Sequence, residues 1–102
     1  MAQNLQVAHR QVAVSNVLGL HLRAANKFVK LAATFQSEIQ VQCKGIIANA
    51  RSILELLSLA AECGTILSLE AKGSDAEDAV TALFNLISGK PQASQNQGGE
   101  AA

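Results

Sequence analysis

The stretch Glu38-Ile39-Gln40-Val41-Gln42-Cys43 alternates strictly between polar and apolar side chains. A period of two places Ile39, Val41 and Cys43 on one face of an extended chain and the polar residues on the other. A chain holding such a strand must build a sheet with one wet face and find a cover for the dry one. Three further segments offer themselves as its neighbours. From Val7 to Ser15, Val12 and Val14 oppose Gln11 and Ala13, and from Thr65 to Lys72, Leu67, Leu69 and Ala71 share a face. Lys44-Gly45 supplies a turn after which Ile46 to Ala50 can return as an antiparallel partner, although Ala and Asn are poor strand formers.

The cover is written at helical spacing. After His21, the residues Ala25, Phe28, Val29 and Ala32 follow the i, i+3, i+4, i+7 rule, with Asn26, Lys27 and Lys30 on the other side. Ser52-Ile53-Leu54-Glu55 and Ser74-Asp75-Ala76-Glu77 both match the capping box, in which the serine oxygen accepts from a free N–H and the glutamate reaches back to the cap. The first should open a short helix ended by Gly64. The second should open a longer one striped with Ala76, Val80, Leu83, Phe84 and Ile87 and stopped by Gly89-Lys90-Pro91. The order βαββαβα predicts an α+β open-faced β-sandwich: a four-stranded antiparallel sheet covered on one face by three helices. Strands one and four are expected side by side in its centre, because each crossover then packs its helix on the same side. Residues 1–6 read as a flexible leader, 7–89 as the domain, and 90–102, rich in Gln, Gly, Ser and Ala without apolar periodicity, as a disordered tail.

The chain of 102 residues fits one domain, and its 8 basic and 8 acidic side chains leave no net field to attract nucleic acid or an anionic membrane. Recognition of a partner must then come from a local patch. Cys43 and Cys63 lie far apart and match no close-spaced metal or redox motif, so two free, partly buried thiols are expected, in keeping with a reducing cytoplasm. No apolar run approaches the roughly 18 residues that span a bilayer, and no basic-then-apolar secretory signal opens the chain. A soluble cytoplasmic protein is the expectation.

Chemistry concentrates in Leu18-Gly19-Leu20-His21-Leu22-Arg23-Ala24-Ala25. A histidine at a helix start lies beside backbone N–H groups that lack an intrahelical partner and at the positive end of the helix dipole. That setting welcomes an anion and biases the imidazole toward the neutral, nucleophilic form. Arg23 can offer a forked pair of hydrogen bonds to phosphoryl oxygens, and Gly19 lets the backbone come close. Local chemistry alone favours the plainer reading, a histidine that merely starts a helix and a solvated arginine. The βαββαβ order does not decide, since the same core hosts ligand-binding, metal-carrying and RNA-binding domains.

The segment Leu18 to Ala25 resembles the Gly-Leu-His-Ala-Arg-Pro-Ala signature of the HPr family, the phosphocarriers of the bacterial phosphotransferase system. Arg51 to Leu59 is similar to that family's regulatory-serine helix and Gly64 to Gly73 to its fourth strand, so that the likeness runs from about Val7 to Ser88. The resemblance implies that His21 accepts a phosphoryl group on Nδ1 from enzyme I, with phosphoenolpyruvate as ultimate donor, and passes it to an EIIA-type domain. Arg23 is then the charge partner. The protein would be a carrier in a relay and not a free-standing enzyme, needing no cofactor and no metal, and acting as a monomer. The resemblance further implies that Ser52, besides capping its helix, is a target for a serine kinase/phosphorylase in some bacteria, and that Leu20, Ile53, Leu54 and Leu57 form an exposed apolar patch for docking partners. Asn16-Val17-Leu18-Gly19 is closer to the nitrogen-related branch than to the sugar branch, which usually has Asn where Leu18 stands. Two residues depart from the pattern: Ala24 replaces a proline that presets the helix start, and Leu22 replaces Ala or Thr. Competing readings are a regulatory module of the same fold that signals by contact, and a metal carrier, which is disfavoured because neither cysteine lies in the first loop. His9, on a strand, reads as a solvated imidazole.

Overall fold

The computed structural model describes residues 6–89. The strands are β1 (Gln6–Ala13), β2 (Glu38–Cys43), β3 (Ile46–Asn49) and β4 (Ile66–Gly73), and the helices are α1 (Leu22–Ala32), α2 (Ile53–Ser58) and α3 (Ala76–Ser88). The strands form one antiparallel sheet in the order β1-β4-β2-β3. Each contributes its alternate residues to one apolar face: Ala8 and Val12, Leu67, Leu69 and Ala71, Ile39, Val41 and Cys43, and Ala48 are all buried. The helices supply Ala25, Phe28, Ala32, Leu56, Ala76, Ala79, Val80, Leu83 and Ile87 to the same core. This is the α+β open-faced sandwich that the period changes imply.

Several particulars differ from the sequence reading. Strands β1 and β4 are neighbours, but β1 is at the sheet edge and the central pair is β4 and β2. The crossover through α1 carries the chain from β1 past an empty strand position to β2, and β4 later fills that position. Gln6, assigned to the leader, begins β1 opposite Gly73, whereas residues 1–5 and the expected tail, 90–102, lie outside the described residues. Gly64 does not end α2. That helix stops at Ser58, after which Ala60 turns the chain with φ +52°, and Gly64, at φ +91°, instead donates to the carbonyl of Val14 at 2.8 Å on the way into β4.

Both capping boxes are modified. Ser52 accepts from the N–H of Glu55, as expected, but the Glu55 carboxylate accepts at 2.8 Å from Asn49 rather than from the cap itself. The Ser52 N–H is already used by the Asn49 carbonyl, which is why the glutamate reaches further back. At α3 the cap is Asp75, not Ser74, and its side chain makes no cap bond. It is occupied elsewhere, accepting from the backbone of Gln36 and Ser37 and from the Ser37 hydroxyl. Gly89 closes α3 in the left-handed conformation at φ +80°, and Pro91 lies outside the described residues.

Candidate functional site

The segment leaving β1 is held from three sides. Ser15 donates its hydroxyl (2.8 Å) and its N–H (3.3 Å) to the Ile87 carbonyl at the end of α3. Asn16 then organises a tight turn: its carbonyl accepts from the Gly19 N–H at 2.8 Å, and its side-chain oxygen accepts from the Leu18 N–H at 2.9 Å. Gly19 takes φ +74°, and a Cβ there would lie 2.5 Å from the Ala61 carbonyl oxygen. That close approach lets the next residue, Leu20, donate to the same oxygen at 2.8 Å. Leu20 thereby turns into the core and His21 turns out of it.

His21 is the N-cap of α1, extended at φ −86° and ψ −179°, and its ring does not cap the helix. The first intrahelical bond runs from the Ala25 N–H to the His21 carbonyl at 2.8 Å. The N–H groups of Leu22, Arg23 and Ala24 therefore point toward the helix start without intrahelical acceptors. Alanine rather than proline at position 24 leaves an amide hydrogen there that proline lacks. No acidic residue stands in this first turn. The half-exposed ring borders a cavity of about 460 Å³ shared with Asn16, Gly19, Arg23, Lys27 and Gly89, and none of the residues lining it is acidic. His21 and the exposed Arg23 and Lys27 thus line one space, whose electrostatics favour a small anion. Asn16 Nδ2 lies 3.2 Å from His21 Nε2. Sequence reading singled out His21 and Arg23 but not Asn16 or Lys27. The Arg23–Lys27 spacing of four residues within α1 was the available signal for the lysine.

The proposed docking residues separate. Leu20 is 6% exposed and belongs to the core, so it is not part of an exposed patch. The bond from its N–H to Ala61 draws it inward. Ile53 and Leu57 are half-buried against the core, and Leu54 is 79% exposed. Val17, Leu18 and Leu22 are exposed too, at 84%, 73% and 63%. An open groove beside His21 is lined by Leu18, Leu22, Arg23, Asn26 and Ile53, so the apolar surface around the histidine comes from the loop and both helices. Ser52, half-buried, does not line the groove itself but precedes Ile53, which does.

Elsewhere, His9 is exposed on β1, in register with Glu70 of β4. Both cysteines are free: Cys43 is buried, but Cys63 is exposed instead of partly buried, because it lies in the turn between α2 and β4. Among the described residues, no group of His, Cys, Asp and Glu is clustered to hold a metal ion, and no helix is long and apolar enough to cross a membrane.

The family model described as "PTS HPr component phosphorylation site" matches residues 8–89. The phosphocarrier protein HPr of Neisseria meningitidis is 42% identical over 80 residues, covering 78% of this chain and 90% of that protein. The phosphocarrier protein NPr of Shewanella violacea is 42% identical over 81 residues, covering 79% and 89%. The crystal structure of HPr from Bacillus anthracis superposes with a TM-score of 0.77 at 36% identity, covering 79% of this chain and 96% of that one. With this architecture and these relatives, the chain belongs to the HPr family of phosphocarriers of the phosphotransferase system.

Proposed function

We propose that this phosphocarrier takes a phosphoryl group from phospho-enzyme I on His21 and passes it to an EIIA-type domain. The observation that carries the reading is the half-exposed imidazole at the N-cap of α1, bordering a cavity that it shares with Arg23. An incoming phosphoryl group needs an uncharged nitrogen lone pair, donors for its oxygens and room. The ring, the amide hydrogens of the first helical turn and the guanidinium supply these together. In transfer, the ring nitrogen forms its bond to phosphorus as the bond to the donor's nitrogen breaks, and the electron pair returns to the donor. Transfer onward reverses the roles. Arg23 contributes charge without gaining or losing a proton.

The test is incubation with enzyme I and phosphoenolpyruvate, followed by intact-mass measurement. One acid-labile phosphoryl group per chain is expected, absent in His21→Ala. Equal uptake by His21→Ala, or none by the wild-type protein, overturns the reading. Partner binding without uptake, unaffected by His21→Ala, would replace it with a regulatory module.

Regulation through Ser52 belongs to the same reading. Its hydroxyl accepts from the Glu55 N–H at 3.2 Å. A phosphoryl group there would place a dianion next to Ile53 and the exposed Leu54 and so oppose apolar docking by enzyme I. Ser52→Asp is expected to slow phosphorylation of His21, and an unchanged rate counts against the regulatory role.

A further inference from the structure

The two ring nitrogens of His21 are not equivalent in this fold. Nε2 lies 3.2 Å from Asn16 Nδ2, whereas Nδ1 has no hydrogen-bond partner among the described residues. The orientation of the Asn16 amide is settled on its other side, where its oxygen accepts from the Leu18 N–H at 2.9 Å. Turning the amide over would set two donors, Nδ2–H and the Leu18 N–H, against one another. The nitrogen end therefore faces the imidazole as a donor, and Nε2 must accept with its lone pair. In the neutral ring at rest, the single proton is then on Nδ1.

We infer that Asn16 is a positioning residue for the resting and the loaded ring: by donating to Nε2 it holds unphosphorylated His21 in the Nδ1–H tautomer and, once Nδ1 carries the phosphoryl group, favours the neutral ring. The inference rests on His21 being the phosphoryl acceptor. The Nδ1 proton leaves to water and Nε2 takes one up, which interrupts the Asn16 bond. The freed Nδ1 lone pair forms the N–P bond as the donor's bond to phosphorus breaks and its electrons stay with the donor. The Nε2 proton then leaves to water, and Asn16 donates again to the bare Nε2 lone pair. A neutral ring is a poorer leaving group than a protonated one, so the restored bond protects the carried phosphoryl group from water. Release to an acceptor requires that bond to break, which gives a docked partner a contact to act upon.

Asn16→Asp separates this role from a structural one. Aspartate keeps the acceptor for the Leu18 N–H, and hence the turn, but presents an acceptor in place of the donor to Nε2. Two-bond ¹H–¹⁵N correlation of the imidazole, in unphosphorylated protein at pH about 8.5, above the ordinary histidine range, reads the tautomer directly. The Nδ1–H form is expected to dominate in wild type, to lose ground in Asn16→Ala and to give way to Nε2–H in Asn16→Asp. Identical tautomer ratios in wild type and Asn16→Asp overturn the inference, whatever the phosphotransfer assay shows. In phosphorylated protein at neutral pH, Asn16→Ala should lose its phosphate about five-fold faster than wild type, the scale of one hydrogen bond, and Asn16→Asp at least as fast. Unchanged lifetimes in both variants overturn the protective role. Failure of wild type to accept phosphate at all would instead sink the carrier reading, leaving the tautomer measurement valid.

Discussion

Single positions in this domain are constrained by how closely backbones approach, and Gly19 shows it most sharply. Its φ of +74° already costs an L-residue, and an added Cβ would meet the Ala61 oxygen at 2.5 Å and the Glu62 Cα at 3.0 Å. Neither neighbour is the end of a flexible side chain. Gly45 provides the internal control, since its φ of +84° is similar but nothing lies within 4 Å of a Cβ built there. Gly45→Ala should cost about 1 kcal/mol, the strain of the left-handed region alone. Gly19→Ala should cost about 2 kcal/mol or more in urea denaturation, because backbone must also move. It should further slow phosphorylation of His21, since the displaced segment is the one that turns the ring outward. Equal stability losses at the two glycines would mean that the approach to Ala61 is not a constraint.

At the scale of elements, helix ends decide what pattern alone cannot. Arg51 illustrates this: its Nη2 donates to the carbonyls of Ala32 (3.3 Å), Phe35 (2.5 Å) and Ser37 (3.1 Å), gathering the end of α1 and the link to β2. A cation at a helix C-terminus also meets the negative end of the dipole. Arg51→Ala should lower stability by about 1–3 kcal/mol and Arg51→Lys should recover only part, lacking the planar fork. A loss below a few tenths of a kcal/mol would make the contact ornamental. The strand β2 was legible to the residue because its alternation is driven by the buried face it occupies. The end of α2 was not, because Ala60 takes a positive φ that nothing in an alanine announces. The second capping box failed for a related reason: Asp75 spends its carboxylate on Ser37, 38 positions away, and local pattern carries no trace of such a partner. In the site, chemistry at a helix start singled out His21 and Arg23 as candidates, and only the resemblance to the HPr signature gave them a phosphocarrier role. The Asn16 contact could not be read in the sequence, since it depends on a turn closed by the asparagine's own side chain.

For the molecule as a whole, the Ser37–Asp75 junction ties the start of α3 to the link between α1 and β2, and hence the two halves of the chain. Ser37 is the buried polar residue of the described chain, 1% exposed. The Ser37 hydroxyl foremost, then the Gln36 and Ser37 N–H groups, hold the Asp75 carboxyl below the usual aspartate range. In the unfolded chain the same group titrates near its ordinary value of about 3.9. Between the folded and unfolded values the unfolded state binds more protons, so stability rises with pH across that window. The contribution is complete above about pH 5, well clear of the unfolded value, and is lost as pH falls through the folded value. Asp75→Asn removes the ionisation while keeping one acceptor oxygen. The variant should unfold at lower urea than wild type at neutral pH, and the gap should narrow as pH drops from about 5 toward 2, because protonated aspartate then resembles asparagine. A gap independent of pH across that range would show that shape, not charge, holds the junction. His21 phosphorylation at neutral pH should survive the substitution, since the junction and the cavity beside His21 share no lining residue.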